Sequence, residues 1–384
     1  MALHFTRDEF ERRLGKTRAK MTEAGLDGLL LFRQESMYYL TGFDSLGYAY
    51  FQTMFVGADG TITLVTRAPD VEQARQTSIV EDVRVWIDRA DANPAQDIRE
   101  MLESHAMGGK RIGVEYHAYG LTAHWGKLLD SALEEFCQLV DASDLVRLLR
   151  QVKSPAELVY VRKAGELTDT ALAEARRLSV PGAFEGDIYA AMFSVIMQGD
   201  GDPPSNSRWP MGSGESALLC RYHSGHRRIG ENDQITHEFG AAYRCYTACA
   251  MCTILTGEVD PRHRRMFDAC HEALEACEAH LRPGSTLGDI WEAQEKTFVE
   301  HGYTDQFLNA CGYGMGATFP PAWVDWPMIY RGNPQVLEPG MVMFLIMTLL
   351  DRDAGLAMHL GETAIVTDGP CEPVSNVPRE LMVN

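Results

Sequence analysis

Glu238 stands in an apolar run, Ile235-Thr236-His237-Glu238-Phe239-Gly240, and eleven positions later Cys249 stands in a second, Tyr246-Thr247-Ala248-Cys249-Ala250-Met251-Cys252-Thr253. A carboxylate in apolar surroundings costs stability unless a donor or a cation satisfies it. Glu238 therefore reads as a group with chemistry to perform. It can hold a cation, take a proton from water as general base, or attack an electrophilic carbon. An imidazole suited to proton transfer near neutral pH lies upstream at His223, in Tyr222-His223-Ser224-Gly225, with His226 as the alternative. The competing structural reading pairs Glu238 with Arg244 or His237. Side chains alternate along a strand, so His237 is expected on the face opposite Glu238.

The cysteines need separate weighing. Cys245-x3-Cys249-x2-Cys252 has the spacing that holds an iron–sulfur cluster in radical enzymes. Such a cluster belongs on a loop, whereas this Tyr/Cys/Thr/Met-rich segment reads as extended. A core or site-lining strand is the favoured account, with Cys249 alone flagged for function because its position faces the site. The nine cysteines, in a chain with no export signal in its charged start, predict free thiols and a cytoplasmic location.

The elements that must position these groups fall into two domains, expected at 1–145 and 146–384. The first alternates helical and strand patterns. A helix is predicted over 7–25, and strands at Gly28–Phe32, Tyr50–Val56, Thr61–Val65 and Arg111–Val114, an α/β layer arrangement. Apolar residues at helix spacing after Pro155 mark the connection into the second domain. There, Pro181-Gly182 followed by Gly186-Asp187-Ile188 recurs as Pro283-Gly284 followed by Gly288-Asp289-Ile290. Such a repeat implies two α/β units related by pseudo-symmetry with a site between them.

Composition bounds the partners. With 384 residues, 45% of them hydrophobic, the chain can bury a large core, and no apolar run approaches the ~20 residues of a membrane span. The net charge of −19 is spread along the chain, which argues against nucleic acid and for a solvated acidic surface. The expected partner is a small molecule, cationic or zwitterionic.

Over nearly its whole length the sequence resembles the creatinase and ectoine-hydrolase branch of the pita-bread (Xaa-Pro peptidase-like, M24) superfamily, the branch without metals. The residues that carry this are Leu40-Thr41-Gly42-Phe43-Asp44, Met211-Gly212-Ser213-Gly214, Arg221-Tyr222-His223-Ser224-Gly225, and Gly312-Tyr313-Gly314-Met315-Gly316 followed by Phe319-Pro320-Pro321-Ala322-Trp323. Metal-dependent relatives place aspartates where this chain has Glu238 and Cys249, while Gly240, Tyr246 and Thr253 keep the matching spacing. Their ligand histidine falls on Tyr313, and their two ligand glutamates fall on Ile346 and Gly361, just before Glu362. A two-metal hydrolase needs roughly five oxygen or nitrogen ligands around ions about 3.5–4 Å apart. One carboxylate remains.

The resemblance thus implies a two-domain creatinase-type fold and hydrolysis of a carbon–nitrogen bond in a small amidine or guanidine compound, with no metal or other cofactor. It implies Glu238 as base or nucleophile and His223 as acid/base. Tyr313 would donate to a substrate carboxylate or an oxyanion. Cys249, His359, Trp323 and Trp326 would line the substrate. It further implies a homodimer in which the Asp44–Tyr50 loop, through Tyr48 or Tyr50, closes the partner's site. Tyr246-Thr247-Ala248, Cys252-Thr253 and Leu46-Gly47-Tyr48 depart from the ectoine-hydrolase pattern, so the reaction class is expected to hold before the substrate does. Two other readings stand beside it. One is a metal-dependent peptidase in which Glu238, Cys249, His359 and Glu362 converge on one ion, and the other is a catalytically silent binding protein.

Overall fold

The computed structural model describes residues 3–384. They form two compact units, one running to Arg150 and one from Gln151 to Asn384.

The first unit contains α1 (Arg7–Glu23), β1 (Gly28–Leu31), α2 (Gln34–Thr41), β2 (Thr53–Gly57), β3 (Ile62–Thr66), α3 (Val71–Thr77), β4 (Asp82–Val85), α4 (Pro94–Ser104), β5 (Arg111–Val114), α5 (Ala123–Leu133) and β6 (Gln138–Asp141), and α6 (Leu145–Gln151) ends it. Thr6 caps α1 by accepting from the Glu9 N–H, and the chain leaves the helix through Gly25 at φ +64°. The strands order as β4-β3-β2-β1-β5-β6. Leu29 and Leu31 join a buried cluster with Met21 and Met37 from α1 and α2, whereas Leu30 packs with Ile98 and Leu129 from α4 and α5. Both sheet faces are therefore covered, which explains why β1 is apolar at every position. One expectation is corrected: β2 and β3 are not separated by a helix. They pair antiparallel across a turn in which Asp59 accepts from the Thr61 N–H and Gly60 takes φ +100°.

The second unit runs α7 (Pro155–Leu178), α8 (Glu185–Gln198), β7 (Met211–Ser213), β8 (Asp233–Tyr243), β9 (Tyr246–Thr256), α9 (Pro261–His280), α10 (Leu287–Glu300), β10 (Ala310–Gly314), β11 (Asp325–Tyr330), β12 (Val342–Asp351) and β13 (Leu356–Ile365). Ser154 and Glu157 form a reciprocal capping box that starts α7 beside Pro155. The strands order as β11-β10-β12-β13-β9-β8-β7. The Pro-Gly repeat marks equivalent places in two halves: Gly182 and Gly284 take φ +83° and +87°, and each precedes a 14-residue helix. Each half is a helix pair followed by a long hairpin, α7–α8 with β8–β9 and α9–α10 with β12–β13. Pairing of β9 with β13 joins them. The helices cover one sheet face, where His237 Nε2 lies 3.3 Å from Ser179 Oγ and Glu362 meets Arg379 and, through it, Glu278 of α9. No helix among the described residues is long and apolar enough to cross a membrane.

Candidate active site

Strand register decides what faces the site. Glu238 pairs with Met251, Met251 with Gly361, and Gly361 with Ile346, across β8, β9, β13 and β12. Residues directly opposite in an antiparallel ladder share a face. Cys249 lies two residues from Met251, and Tyr313 pairs with Phe344, two residues from Ile346. Glu238, Cys249, Tyr313, Ile346 and Gly361 therefore share the face away from the helices. β8 and β10 are four strand spacings apart, about 19 Å in a flat sheet. The Tyr313 hydroxyl nonetheless donates to Glu238 Oε1 at 3.3 Å, so the sheet bends around this spot.

The hydrogen bonds have a fixed direction. An indole N–H only donates, and Trp323 Nε1 donates to the Tyr313 oxygen at 2.8 Å from a fully enclosed position. The tyrosine thus spends its own proton on Glu238. Burial raises the Glu238 pKa to about 7, and the Tyr313 hydrogen bond and the Arg221 guanidinium oppose that rise only in part. Part of the glutamate side chain remains open to solvent. Burial and the Glu238 charge push the Cys249 thiol and the Tyr313 phenol well above their ordinary ranges, so both are neutral at physiological pH.

This donor set does not fit a dinuclear metal centre. Ile346 has no ligating atom, and Gly361 cannot gain a side chain without movement, since a Cβ there meets Leu345 O at 2.5 Å. Among the described residues no three His, Cys, Asp or Glu side chains gather to hold an ion. The four-residue alternative also fails geometrically, because Glu362 alternates onto the helix face and ion-pairs with Arg379. The cluster spacing of Cys245, Cys249 and Cys252 resolves similarly. Cys249 and Cys252 point to opposite faces, and Cys245 sits in the β8–β9 turn at φ +66°.

His223 is held at the edge of the site. Its Nδ1 lies 3.0 Å from Trp209 O, and a carbonyl only accepts, so Nδ1 carries a hydrogen and, in the neutral ring, Nε2 is the acceptor. The ring lies against Tyr189 with centroids 4.7 Å apart, above Gly225, where a Cβ would come within 2.8 Å of Nε2. The next residue, Pro210, accepts from the Glu238 N–H at 2.8 Å. One dipeptide, Trp209-Pro210, thus ties His223 to the Glu238 strand, although no hydrogen bond joins the two side chains.

The other candidates divide. His359 lies on the site face, paired with Thr348; it is buried, has both ring nitrogens unpartnered, and is pushed down to about 4 by burial. Trp326 is half-buried, and its carbonyl backs Gly314. His226 is exposed and gives its backbone N–H to Glu185. The structural partners of Glu238 are not available to it: His237 faces the helices, and Arg244 lies over the Tyr243 ring in the turn. In the first unit Tyr48 is buried, while Tyr50 is 63% exposed beneath the Arg67 guanidinium. Sequence reasoning missed Arg221, whose charge reaches Glu238. Its position two residues before His223 was the available signal.

A two-domain fold with a bent antiparallel sheet, two pseudo-symmetric halves and a carboxylate on the sheet face away from the helices defines a creatinase/aminopeptidase-type pita-bread protein. Residues 159–368 match the metallopeptidase family M24, and residues 13–152 match the creatinase/prolidase N-terminal domain. The chain belongs to family M24, a family of hydrolases. It is 30% identical to an uncharacterized hydrolase/peptidase of Sinorhizobium fredii over 99% of each chain, and 26% identical to the ectoine hydrolase of Halomonas elongata over 100% of this chain and 99% of that one. In fold it is similar to the prolidase of Thermococcus sibiricus, with a TM-score of 0.87 at 20% identity, covering 98% of this chain and 99% of that one.

Proposed function

We propose that this protein hydrolyses a carbon–nitrogen bond of a small amidine, guanidine or cyclic amidine without a metal ion. The observation that carries the reading is Glu238: one carboxylate, titrating near neutrality, in a site whose other ligand positions hold Cys249, Tyr313, Ile346 and Gly361. An ionised carboxylate there has no ion-pair partner among the described residues, and an amidinium supplies both charge and N–H donors. Glu238 then acts as base toward water or as nucleophile at the amidine carbon. In the first route His223 takes up at Nε2 the proton that Glu238 removes from water and gives it to the leaving nitrogen; in the second the imidazolium protonates the leaving nitrogen and regains a proton from the water that hydrolyses the glutamyl intermediate. Tyr313, held by Trp323, steadies the developing charge. The ectoine hydrolase relative supports non-peptide substrates, and the Xaa-Pro dipeptidase of Pyrococcus furiosus, 23% identical over 97% of this chain, keeps peptides among the alternatives.

The test pairs elemental analysis of untagged protein with turnover of ectoine, creatine and an Xaa-Pro dipeptide, each with and without chelator. Less than about a tenth of an equivalent of metal, with chelator-insensitive turnover of ectoine or creatine, is the expected result. Stoichiometric metal with chelator-sensitive dipeptide cleavage sinks the proposal.

Tyr313→Phe gives a second check. It removes a donor to the carboxylate, so the Glu238 pKa rises and the acid limb of the pH–rate profile moves to higher pH. The rate at neutral pH falls by about tenfold or more. Leaving the Trp323 N–H without its acceptor costs about 1–3 kcal/mol, readable as a lowered Tm.

A further inference from the structure

We propose that Glu185 is a positioning residue that holds His223 in its working place beside the Glu238 strand, acting through the backbone of the loop it clamps. The inference rests on the proton-transfer role given to His223. Glu185 opens α8 and is fully buried. Its Oε1 accepts from the Ser213 N–H at 3.0 Å and the Ser213 hydroxyl at 2.6 Å. Its Oε2 accepts from the Ser224 hydroxyl at 2.6 Å and from the His226 and Arg227 N–H groups, both at 3.0 Å. The Arg227 guanidinium donates to Ser213 Oγ at 2.7 Å, which leaves that hydroxyl's own proton for Glu185. Every partner donates, so both carboxylate oxygens serve as acceptors. Burial opposes ionisation, but these hydrogen bonds together hold the carboxyl below its ordinary range. One carboxylate thus ties the end of β7 to the loop just beyond His223.

β7 is the bar against which both reacting groups are set. Met211 pairs with His237, the residue before Glu238, on one side and with His223 on the other. On the His223 side the Met211 N–H donates to Tyr222 O at 3.1 Å, and Met211 O accepts from the Ser224 N–H at 2.8 Å. The pseudo-symmetric half shows that the fold does not itself require the carboxylate. Gly182, Ala183 and Glu185 exchange backbone hydrogen bonds with Ile229 and Arg227, and Gly284, Ser285 and Leu287 do so in the same pattern with Leu337 and Gln335. The counterpart of Glu185 in the repeat is therefore Leu287, which is also fully buried. That half builds the same turn and helix around an apolar side chain. A buried carboxylate is costly unless its hydrogen bonds are made, so its use in the first half alone points to what it holds, the His223 loop.

Two measurements on the full chain test the clamp. Hydrogen exchange read by mass spectrometry is expected to show the His226 and Arg227 amides protected in the wild type and exchanging about tenfold faster or more in Glu185→Leu, while the β8 amides stay protected. Turnover of ectoine or creatine, whichever the wild type accepts, is expected to lose about tenfold to a hundredfold in kcat in Glu185→Leu, with KM within about threefold. Glu185→Gln, which keeps one accepting oxygen, restores part of that loss. In a His223→Ala background the leucine substitution costs less than about twofold, because the group it positions is gone. An equal cost in both backgrounds, or amides that exchange as fast in the wild type as in Glu185→Leu, overturns the proposal. Should Glu185→Leu not fold, Ser224→Ala, which removes one donor to Glu185, carries the same cycle, and an equal cost in both backgrounds overturns it there. A wild type that turns over neither compound, or a His223→Ala variant with full kcat, overturns instead the reaction or the role given to His223, and the exchange result then decides the clamp by itself.

Discussion

Glu238→Gln lowers kcat by about 10³-fold or more and, at pH 8.5, raises Tm above that of the wild type. The first effect follows because an amide can neither accept a proton at working pH nor attack carbon. The second follows from linkage. Glu238 has an ordinary value of 4.5 and a folded value of about 7. Between these values the folded protein binds more protons than the unfolded chain, so the glutamate's contribution to stability falls as pH rises through that window and levels off above it. Glutamine removes a group that is unfavourable when ionised. The Tm gain is therefore largest above pH 7 and shrinks toward pH 4.5, as differential scanning calorimetry across pH will record. In the active wild type the same ionisation makes kcat/KM rise through about pH 7 on the acid side. A Tm difference that is flat with pH, or a variant with near-native kcat, refutes the role given to Glu238.

Gly314→Ala disables the site from behind. A Cβ at residue 314 meets Trp326 O at 2.2 Å and Trp326 C at 2.5 Å, backbone atoms that no rotamer change can move aside. Gly314 follows Tyr313 on β10, and the backbone it would displace leads back to Trp323, so the substitution pulls apart the Trp323–Tyr313–Glu238 chain. Overpacking of this kind costs about 3 kcal/mol, which lowers Tm by roughly 6–12 °C for a unit of this size. Turnover falls with it, and the pH–rate profile moves upward as in Tyr313→Phe. Unchanged Tm and activity would mean that β11 yields freely at this point.

The legible parts of the fold were those with strong local signals. Gly25, Pro155 and the two Pro-Gly turns each impose a backbone conformation through nearby atoms, and the helices beside them lie close to where the sequence places them. The β2–β3 hairpin was misread because a fully buried strand carries no alternation to separate it from a helix-flanked one. The spacing of Glu238, Cys249, Tyr313, Ile346 and Gly361 was readable, as was the lack of a ligating side-chain atom at Ile346 and Gly361. Arg221 was overlooked because its one signal, a place two residues before His223, says nothing of the distance to Glu238 until the chain is folded.

What the sequence determined by itself was the inventory: a carboxylate in an apolar run, a nearby imidazole, a phenol, and an internal repeat able to frame them. Only the tertiary structure decided which of these groups act on one another. Period-two alternation assigns His237, Cys252 and Glu362 to the helix face, but that assignment depends on the register of β8, β9 and β13, which residues far apart in sequence set together. Sheet curvature brings Tyr313 to Glu238 across four strand spacings, and burial then carries the glutamate toward neutrality. Curvature and desolvation are properties of the assembled sheet and its surroundings, so no local stretch of residues encodes them.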